Sequence, residues 1–442
     1  MSIDSEFDLL IRGSRVVVED REGPRAIAIS QGRIAAVLPE DADVHAAEEV
    51  RVDADAVILP GLVDTHVHIC EPGTDWEGFA SATAAAAAGG ITSLVDMPID
   101  SFPATVDLDT LAAKRRAAEG QLQVDLALWG GLTPRNVHTI GALIDAGAVG
   151  LKCFLVDPGS PDFEAVDDTV LEQALAITAP AGVPVMVHAE DFAGAPRLPA
   201  VSRRYAEWLA ARPPSTEDRA VARVIAAAKR TGGWAHIAHV SSASSLPLLR
   251  DAQRVGVRVT AETCPHYLTL AAEEIADGQT SAKCGPPIRE RAHQTALWDA
   301  LRSGTLGAVV SDHSPCLPVQ KTDDFATAWA GVSSLQVSPA VVWTAARARG
   351  FALTDLARWM SSSPAAIAGL RDKGRIAVGA DADLCVFAPD ETFVVDPALL
   401  LHRHPVCPYA GRTLSGVVRA TMLRGRWIDE TPTGRLVSRE AA

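Results

Sequence analysis

The chain has no apolar run approaching the roughly 18 residues that a membrane-spanning helix needs, and its first residues, MSIDSEFDLL, contain no basic region followed by an apolar core. No long run of lysine and arginine stands against the net charge of −15. The basic cluster Lys114-Arg115-Arg116 reads as the solvated face of a helix, so neither nucleic acid nor a membrane is an expected partner. The seven cysteines are odd in number, scattered and without CxxC spacing, which fits free thiols in a reducing compartment. No Gly-x-Gly-x-x-Gly follows the first strand candidate, and that removes the usual mark of a dinucleotide-binding open sheet. A soluble, cytoplasmic protein is expected.

What is present is enough apolar material, 48% of 442 residues, for one large core or a large core with a small satellite. Residues 6 to about 56 alternate short β-branched runs with turn residues, as in LLIRGSRVVVED and RAIAISQGRIAAV, and predict a small antiparallel sheet. A similar passage, KGRIAVGADADLCVFAP, returns near the other end. Between them, short runs rich in Val, Ile and Leu alternate with Ala-rich helical stretches. Eight strand candidates fall in this region: AVILPGLVD, ITSLVDMP, VDLALWGG, VGLKCFL, VPVMVHAE, WAHIAHVS, VRVTAETCP and LGAVVSDHSP. The expected fold class is therefore α/β. A (β/α)8 barrel spans 57–372, and a small β-sandwich is built from 1–56 and 373–442.

The polar residues at the C-terminal ends of these strands carry the functional signal, because that face of a barrel holds its active site. His66 and His68 are one residue apart at the end of the first strand and project to the same side. Lys152 lies in the fourth strand, and His188, His239 and Asp312 close the fifth, sixth and eighth. Imidazoles with a carboxylate suit zinc, and also manganese, cobalt, nickel or iron. Each residue alone has a plainer reading, as a hydrogen-bonded core histidine or a helix-capping acid; their shared position at one end of one set of strands favours a metal site. Lys152 in VGLKCFL would be desolvated, with its pKa driven down. Its amine is then neutral and open to modification, or it reaches the rim and pairs with an acid. His236, His266, His293 and His313 have no ligand partner by pattern. Glu190, Asp191 and Glu262 read as helix caps or as groups orienting ligands.

The segments Val63-Asp64-Thr65-His66-Val67-His68, Gly-Leu-Lys152-Cys-Phe, Val-His188-Ala-Glu190, His239-Val-Ser-Ser, Glu262-Thr-Cys-Pro-His266-Tyr and Ser311-Asp312-His313-Ser314-Pro315 resemble, in order, the motifs of the cyclic amidohydrolases. The resemblance implies a lysine carboxylated on its amine with carbon dioxide, giving N6-carboxylysine at Lys152, whose carbamate bridges two divalent metals. His66, His68, Lys152 and Asp312 would hold one ion, and Lys152, His188 and His239 the other. A carbamate is a two-oxygen anion able to span two ions about 3.5–4 Å apart, and two ions sharing a water lower its pKa toward neutral. Asp312 is then placed to move the water's proton to the departing ring nitrogen. The implied reaction is hydrolysis of a cyclic amide.

Branches of that family differ around the motifs. Dihydroorotases place arginine two residues after the second histidine, where Cys70 stands here, and dihydropyrimidinases carry a tyrosine after the lysine strand, which this chain lacks. Six segments look like the allantoinase branch: His68-Ile-Cys-Glu-Pro-Gly, Asp96-Met-Pro, Trp129-Gly-Gly-Leu, Lys283-Cys-Gly-Pro-Pro-Ile-Arg289, Ser311-Asp-His-Ser-Pro-Cys316 and Ala328-Trp-Ala-Gly-Val-Ser-Ser-Leu-Gln336. Cys70 and Asp100 depart from that branch, where asparagine is usual. The resemblance implies opening of the hydantoin ring of allantoin to allantoate, with a hydantoin or dihydropyrimidine, dihydroorotate, or a non-catalytic scaffold of the same fold as alternatives. Ser314, Asp100 and backbone at Gly285 and Gly331 are the expected substrate contacts. Cys70, Cys153 and Cys316 are expected not to be ligands, and a homotetramer or dimer is implied.

Overall fold

The computed structural model describes residues 6–439, so residues 1–5 and 440–442 of the expected terminal segments lie outside the described residues. The strands, in chain order, are β1 (Phe7–Val18), β2 (Arg21–Ser30), β3 (Arg33–Leu38), β4 (Ala46–Val52), β5 (Val57–Pro60), β6 (Leu62–Val67), β7 (Ile91–Asp96), β8 (Asp125–Leu128), β9 (Gly130–Gly131), β10 (Leu151–Phe154), β11 (Pro184–His188), β12 (Trp234–Ile237), β13 (Val259–Thr263), β14 (Ala308–Val309), β15 (Leu384–Val394), β16 (Thr413–Leu423) and β17 (Arg426–Trp427).

Strands from both ends of the chain share one eight-stranded sheet, ordered β17-β16-β15-β5-β1-β2-β3 with β4 on β1. The β2–β3 hairpin turns on Gln31 and Gly32, both at positive φ (51° and 76°), the backbone that a two-residue hairpin loop matching strand twist requires. The sheet is mixed rather than antiparallel as its sequence suggested, because β1 pairs in parallel with both β4 and β5. A core of Leu9, Ile11, Ile27 and Ile29 closes against Ile376, Leu384 and Met422, so the two termini bury one another's apolar side chains.

The middle of the chain forms parallel sheets: β6-β7-β8, and β9 through β14 in sequence order. All the strands over 91–188 are buried along their length, as expected of strands covered on both faces. The sheets approach each other at both edges. Val149 N–H donates to the Leu128 carbonyl (3.0 Å), and at the other side Val67 bridges His313 in parallel while His68 N–H donates to the His313 carbonyl (2.8 Å). Helices return between strands, among them Phe79–Ala88, Leu108–Ala118 and Pro214–Thr231. The last is stopped by Gly232 in the left-handed conformation (φ 70°).

Two further expectations are revised. The continuous apolar stretch AVILPGLVD is two strands, β5 in the mixed sheet and β6 in the parallel one, divided at Gly61. A Cβ at Gly61 would lie 2.3 Å from Thr92 Oγ1, so only glycine lets the chain pass between the sheets here. Lys114 is buried rather than solvated: its Nζ donates to Asp96 (2.6 Å) and to the Met97 carbonyl (2.8 Å), beneath the end of β7.

Ahead of β15 a second buried lysine ties the two kinds of sheet together. Lys373 Nζ lies 2.6 Å from Asp125 of β8 and 2.8 Å from both Asp381 and Asp383. Burial alone would discharge Lys373, but the three carboxylates outweigh it and hold the ammonium well above its ordinary pKa. Lys373→Met should therefore strand buried carboxylates and destabilise the fold by about 3–5 kcal/mol, read as a lowered denaturant midpoint; an unchanged midpoint would show that the clamp is not structural.

Candidate functional site

Strand ends bring the polar residues together. His66 is the penultimate residue of β6 and His68 follows the strand; Lys152 is in β10, His188 closes β11, and His239 and Asp312 stand just beyond β12 and β14. His66 Nε2 lies 3.2 Å from Asp312 Oδ1, and His68 Nε2 lies 3.6 Å from the same oxygen. His188 Nδ1 faces His239 Nε2 at 3.0 Å, and ligand atoms of His66, His239 and Asp312 fall within 4.8 Å of one another. All six side chains line one pocket of about 520 Å³.

The backbone bends to make this arrangement. His239 (φ 39°) and Asp312 (φ 47°) sit in the left-handed region that non-glycine residues seldom occupy, as do Cys70 (φ 61°) and Asp100 (φ 67°) beside them. Such conformations cost about 1–3 kcal/mol each and persist where surrounding structure over-determines them.

Around the imidazoles stands a set of carboxylates. Glu262 of β13 reaches His66 Nδ1 at 2.5 Å and His236 Nε2 at 3.0 Å; Glu190 Oε2 holds His188 Nε2 at 2.8 Å; Asp100 Oδ2 is 2.8 Å from His68 Nδ1. At His66, His68 and His188 the carboxylate fixes one ring nitrogen and leaves the other toward the pocket. Asp64 accepts from the backbone N–H of His66 and of Ser311, both at 3.1 Å, and burial raises its pKa to about 7. Burial, with Lys152 and neighbouring imidazoles adding repulsion, holds His66 well below its ordinary pKa; His239 is depressed in the same way, by burial and then by His188 and Lys152. Neutral imidazole is the form that binds a cation. Burial also opposes charge on His68, but Asp100 and Asp312 prevail and raise it to about 9.

Lys152 is the exception in the set. Its Nζ is buried without a hydrogen-bond partner, 5.1 Å from the Phe154 ring centroid. Burial lowers its pKa against the opposing pull of Asp312 and Glu262. An orphaned buried amine beside the depressed imidazoles of His66 and His239, with His239 Nδ1 likewise unpartnered, is a donor set suited to divalent cations.

The remaining residues divide. Ser314, Asp100, Gly285 and Gly331 all line the pocket. At Gly331 the N–H donates to the Lys283 carbonyl (2.9 Å), the carbonyl accepts from Lys321 (2.5 Å), and an added Cβ would stand 2.4 Å from Ser314 Oγ, so its lack of a side chain shapes the wall. His313 points away to Glu77 (3.1 Å) and takes the Ser334 N–H. His293 accepts from Ala243, and His236 is held by Thr260 and Glu262. His266 has both ring nitrogens unpartnered and is depressed to about 4 by burial. Cys70 Sγ turns to the His68 carbonyl (3.4 Å). Sequence reasoning singled out neither Trp208 nor Arg212, which reach the pocket from the short helix Tyr205–Ala210 and the turn after it, outside the strand ends that drew attention.

The chain belongs to the amidohydrolase family, matching it over residues 57–428. It is 50% identical to an allantoinase of Streptomyces avermitilis, over 99% of this chain and all of that protein, and 40% identical to an allantoinase of Arabidopsis thaliana over 95% and 87%. Among solved structures it is similar to an L-hydantoinase (dihydropyrimidinase) from Arthrobacter aurescens, with a TM-score of 0.90 and 30% identity over 98% of this chain and all of that one. A dihydropyrimidinase from Brevibacillus agri is also similar, with a TM-score of 0.87 and 26% identity over 98% of each chain.

If Glu262 sets the orientation of His66, Glu262→Gln should weaken divalent-ion affinity roughly 10- to 100-fold, measured by competition with a chromophoric chelator. Unaltered affinity would mean that the 2.5 Å contact does not support the site.

Proposed function

We propose that this chain hydrolyses the hydantoin ring amide of allantoin to give allantoate. The observation that carries the reading is the convergence of His66, His68, His188, His239 and Asp312 on the unpartnered Lys152 amine, in a chain 50% identical over its length to an allantoinase. The architecture we infer is a closed (β/α)8 barrel within 57–372, supported by the contacts that join the parallel sheets at both edges, with a small β-sandwich from 1–56 and 373–442 whose sheet β5 also joins. Such a barrel presents the strand C-termini, where these residues lie, as one open face.

His66, His68, Lys152 as its carbamate, and Asp312 would hold one divalent ion, with Lys152, His188 and His239 holding a second. Zinc suits this set best, with manganese, cobalt, nickel or iron as alternatives. Bound there, the ions would supply Lewis acidity toward a carbonyl and toward water. Carboxylation by carbon dioxide converts a desolvated amine into an anionic ligand and removes the cost of leaving it unpaired.

The side chains of the chain do the rest. Asp312, fixed by its strained backbone beside His66 and His68, takes the proton of the attacking water on a carboxylate oxygen and returns it to the ring nitrogen as the C–N bond breaks. The amine then departs neutral rather than as a poor anionic leaving group. Ser314 and the backbone at Gly285 hold the ring's polar edge, Gly331 keeps the wall clear for it, and Asp100 acts through His68. A cytoplasmic location fits the seven free, buried thiols, and a homotetramer or dimer is what the family resemblance implies.

The test is turnover of metal-loaded protein with bicarbonate present, on allantoin beside hydantoin, dihydrouracil and dihydroorotate. Allantoin should lead by orders of magnitude in kcat/KM. A lead by another ring would keep the cyclic-amide chemistry and defeat the substrate; no turnover with both ions bound would favour a non-catalytic scaffold.

A further inference from the structure

One wall of the pocket carries two cations that no carboxylate touches, although Glu190 is near enough to favour the charge on Arg212. Arg212 and Lys283 both line it, and among the described residues neither has an acidic oxygen within 4.0 Å. They share one aromatic support instead: the Trp208 ring centroid is 3.4 Å from the Arg212 guanidinium carbon and 4.4 Å from Lys283 Nζ. Phe192 stands 5.0 Å from the same guanidinium. Trp208 is itself fixed, buried and donating its Nε1–H to the Cys284 carbonyl at 3.1 Å, while Lys283 donates to the Ala328 carbonyl. Burial, with Arg212 and Lys321 nearby, lowers Lys283 to about 8. Two adjacent and partly desolvated cations are expensive to keep without an anion in contact.

The same pocket holds an orphaned acceptor. Glu190 Oε2 is engaged with His188, but Oε1 is buried with no partner. The side chain is 2% exposed and lines the cavity. Thus cationic donors, a free carboxylate oxygen and a flat indole face are gathered near the candidate metal ligands.

From this we propose that Arg212, Lys283 and Trp208, together with Glu190 Oε1, form a subsite for the ureido arm that distinguishes allantoin from an unsubstituted hydantoin. This inference rests on the allantoin reading above. A ureido group is planar, has one strong carbonyl acceptor and carries N–H donors at the other edge. Its carbonyl takes N–H bonds from Lys283 or Arg212, its NH2 donates to Glu190 Oε1, and its plane lies against apolar surface. A carboxylate arm fits worse, since it has no donor for Glu190 and would face that oxygen with like charge. An apolar arm would leave all three groups unpaired.

Lys283→Met and Arg212→Met remove the donors while keeping side-chain length. Each holoenzyme is assayed for kcat/KM on allantoin and for the inhibition constant of hydantoin, which has the ring without the arm. A charge-assisted hydrogen bond lost from a desolvated site should lower kcat/KM for allantoin about 10- to 100-fold, with less than a twofold shift in the hydantoin constant and partial recovery in Lys283→Arg. Equal weakening toward both compounds would mean that the wall is structural, and no change on allantoin would mean that the arm lies elsewhere; either overturns the proposal. Wild-type protein that prefers another ring over allantoin would instead refute the reading beneath it. Hydantoin-5-acetic acid serves as the counter-probe: tighter inhibition by this acid than by hydantoin in the wild type, lost in Lys283→Met, would assign the cations to an anionic arm and reject the ureido assignment.

Discussion

A buried amine with no hydrogen-bond partner is the constraint on which the rest of this site depends. Lys152 sits inside β10 in the pocket that the histidines line, and burial lowers its pKa against the opposing pull of Asp312 and Glu262. An ammonium there would be stranded in a low dielectric, and a neutral amine would leave polar atoms unsatisfied. Either form is costly unless something occupies the space between the histidines. Conversion of the amine to a carbamate bound by divalent ions answers both costs at once, and it accounts for the carboxylates that hold the outer ring nitrogens of His66, His68 and His188.

The surrounding fold bears the consequences. Left-handed backbone at His239 and Asp312 directs two strand ends inward, and Gly61 lets the chain step from the mixed sheet into β6 so that His66 and His68 emerge at the same rim. The Lys373 clamp joins the C-terminal segment to β8 on the far side of this framework. These elements fix the site on strands and short turns rather than on long loops, which suits a reaction whose groups must be placed within fractions of an ångström.

Much of this was legible in the sequence because strands and helices leave different periods. The alternation of short β-branched runs with Ala-rich helices located each parallel strand, and His66, His68, His188, His239 and Asp312 stood out as polar residues where apolar runs end. What could not be read is what tertiary contact decides. AVILPGLVD is apolar throughout, so nothing local marks its division at Gly61. Lys114 sits in a basic triplet and looks solvated until Asp96 is brought beneath it from 18 residues away. The pairing of Asp100 with His68, and the gathering of Arg212 and Lys283 around the Trp208 ring, join segments with no shared periodicity. The sequence motif around Lys283 marked a family resemblance without showing which way its ammonium points.

The measurement that bears most directly on the central claim is the fate of labelled carbon dioxide at Lys152. Protein reconstituted with divalent metal and 13C-bicarbonate, then freed of excess label, should show by 13C NMR one carbamate carbon per chain, absent in Lys152→Ala. A fully active, metal-loaded protein with no such carbon would contradict the account, since the amine would then have to be neutralised in some other way.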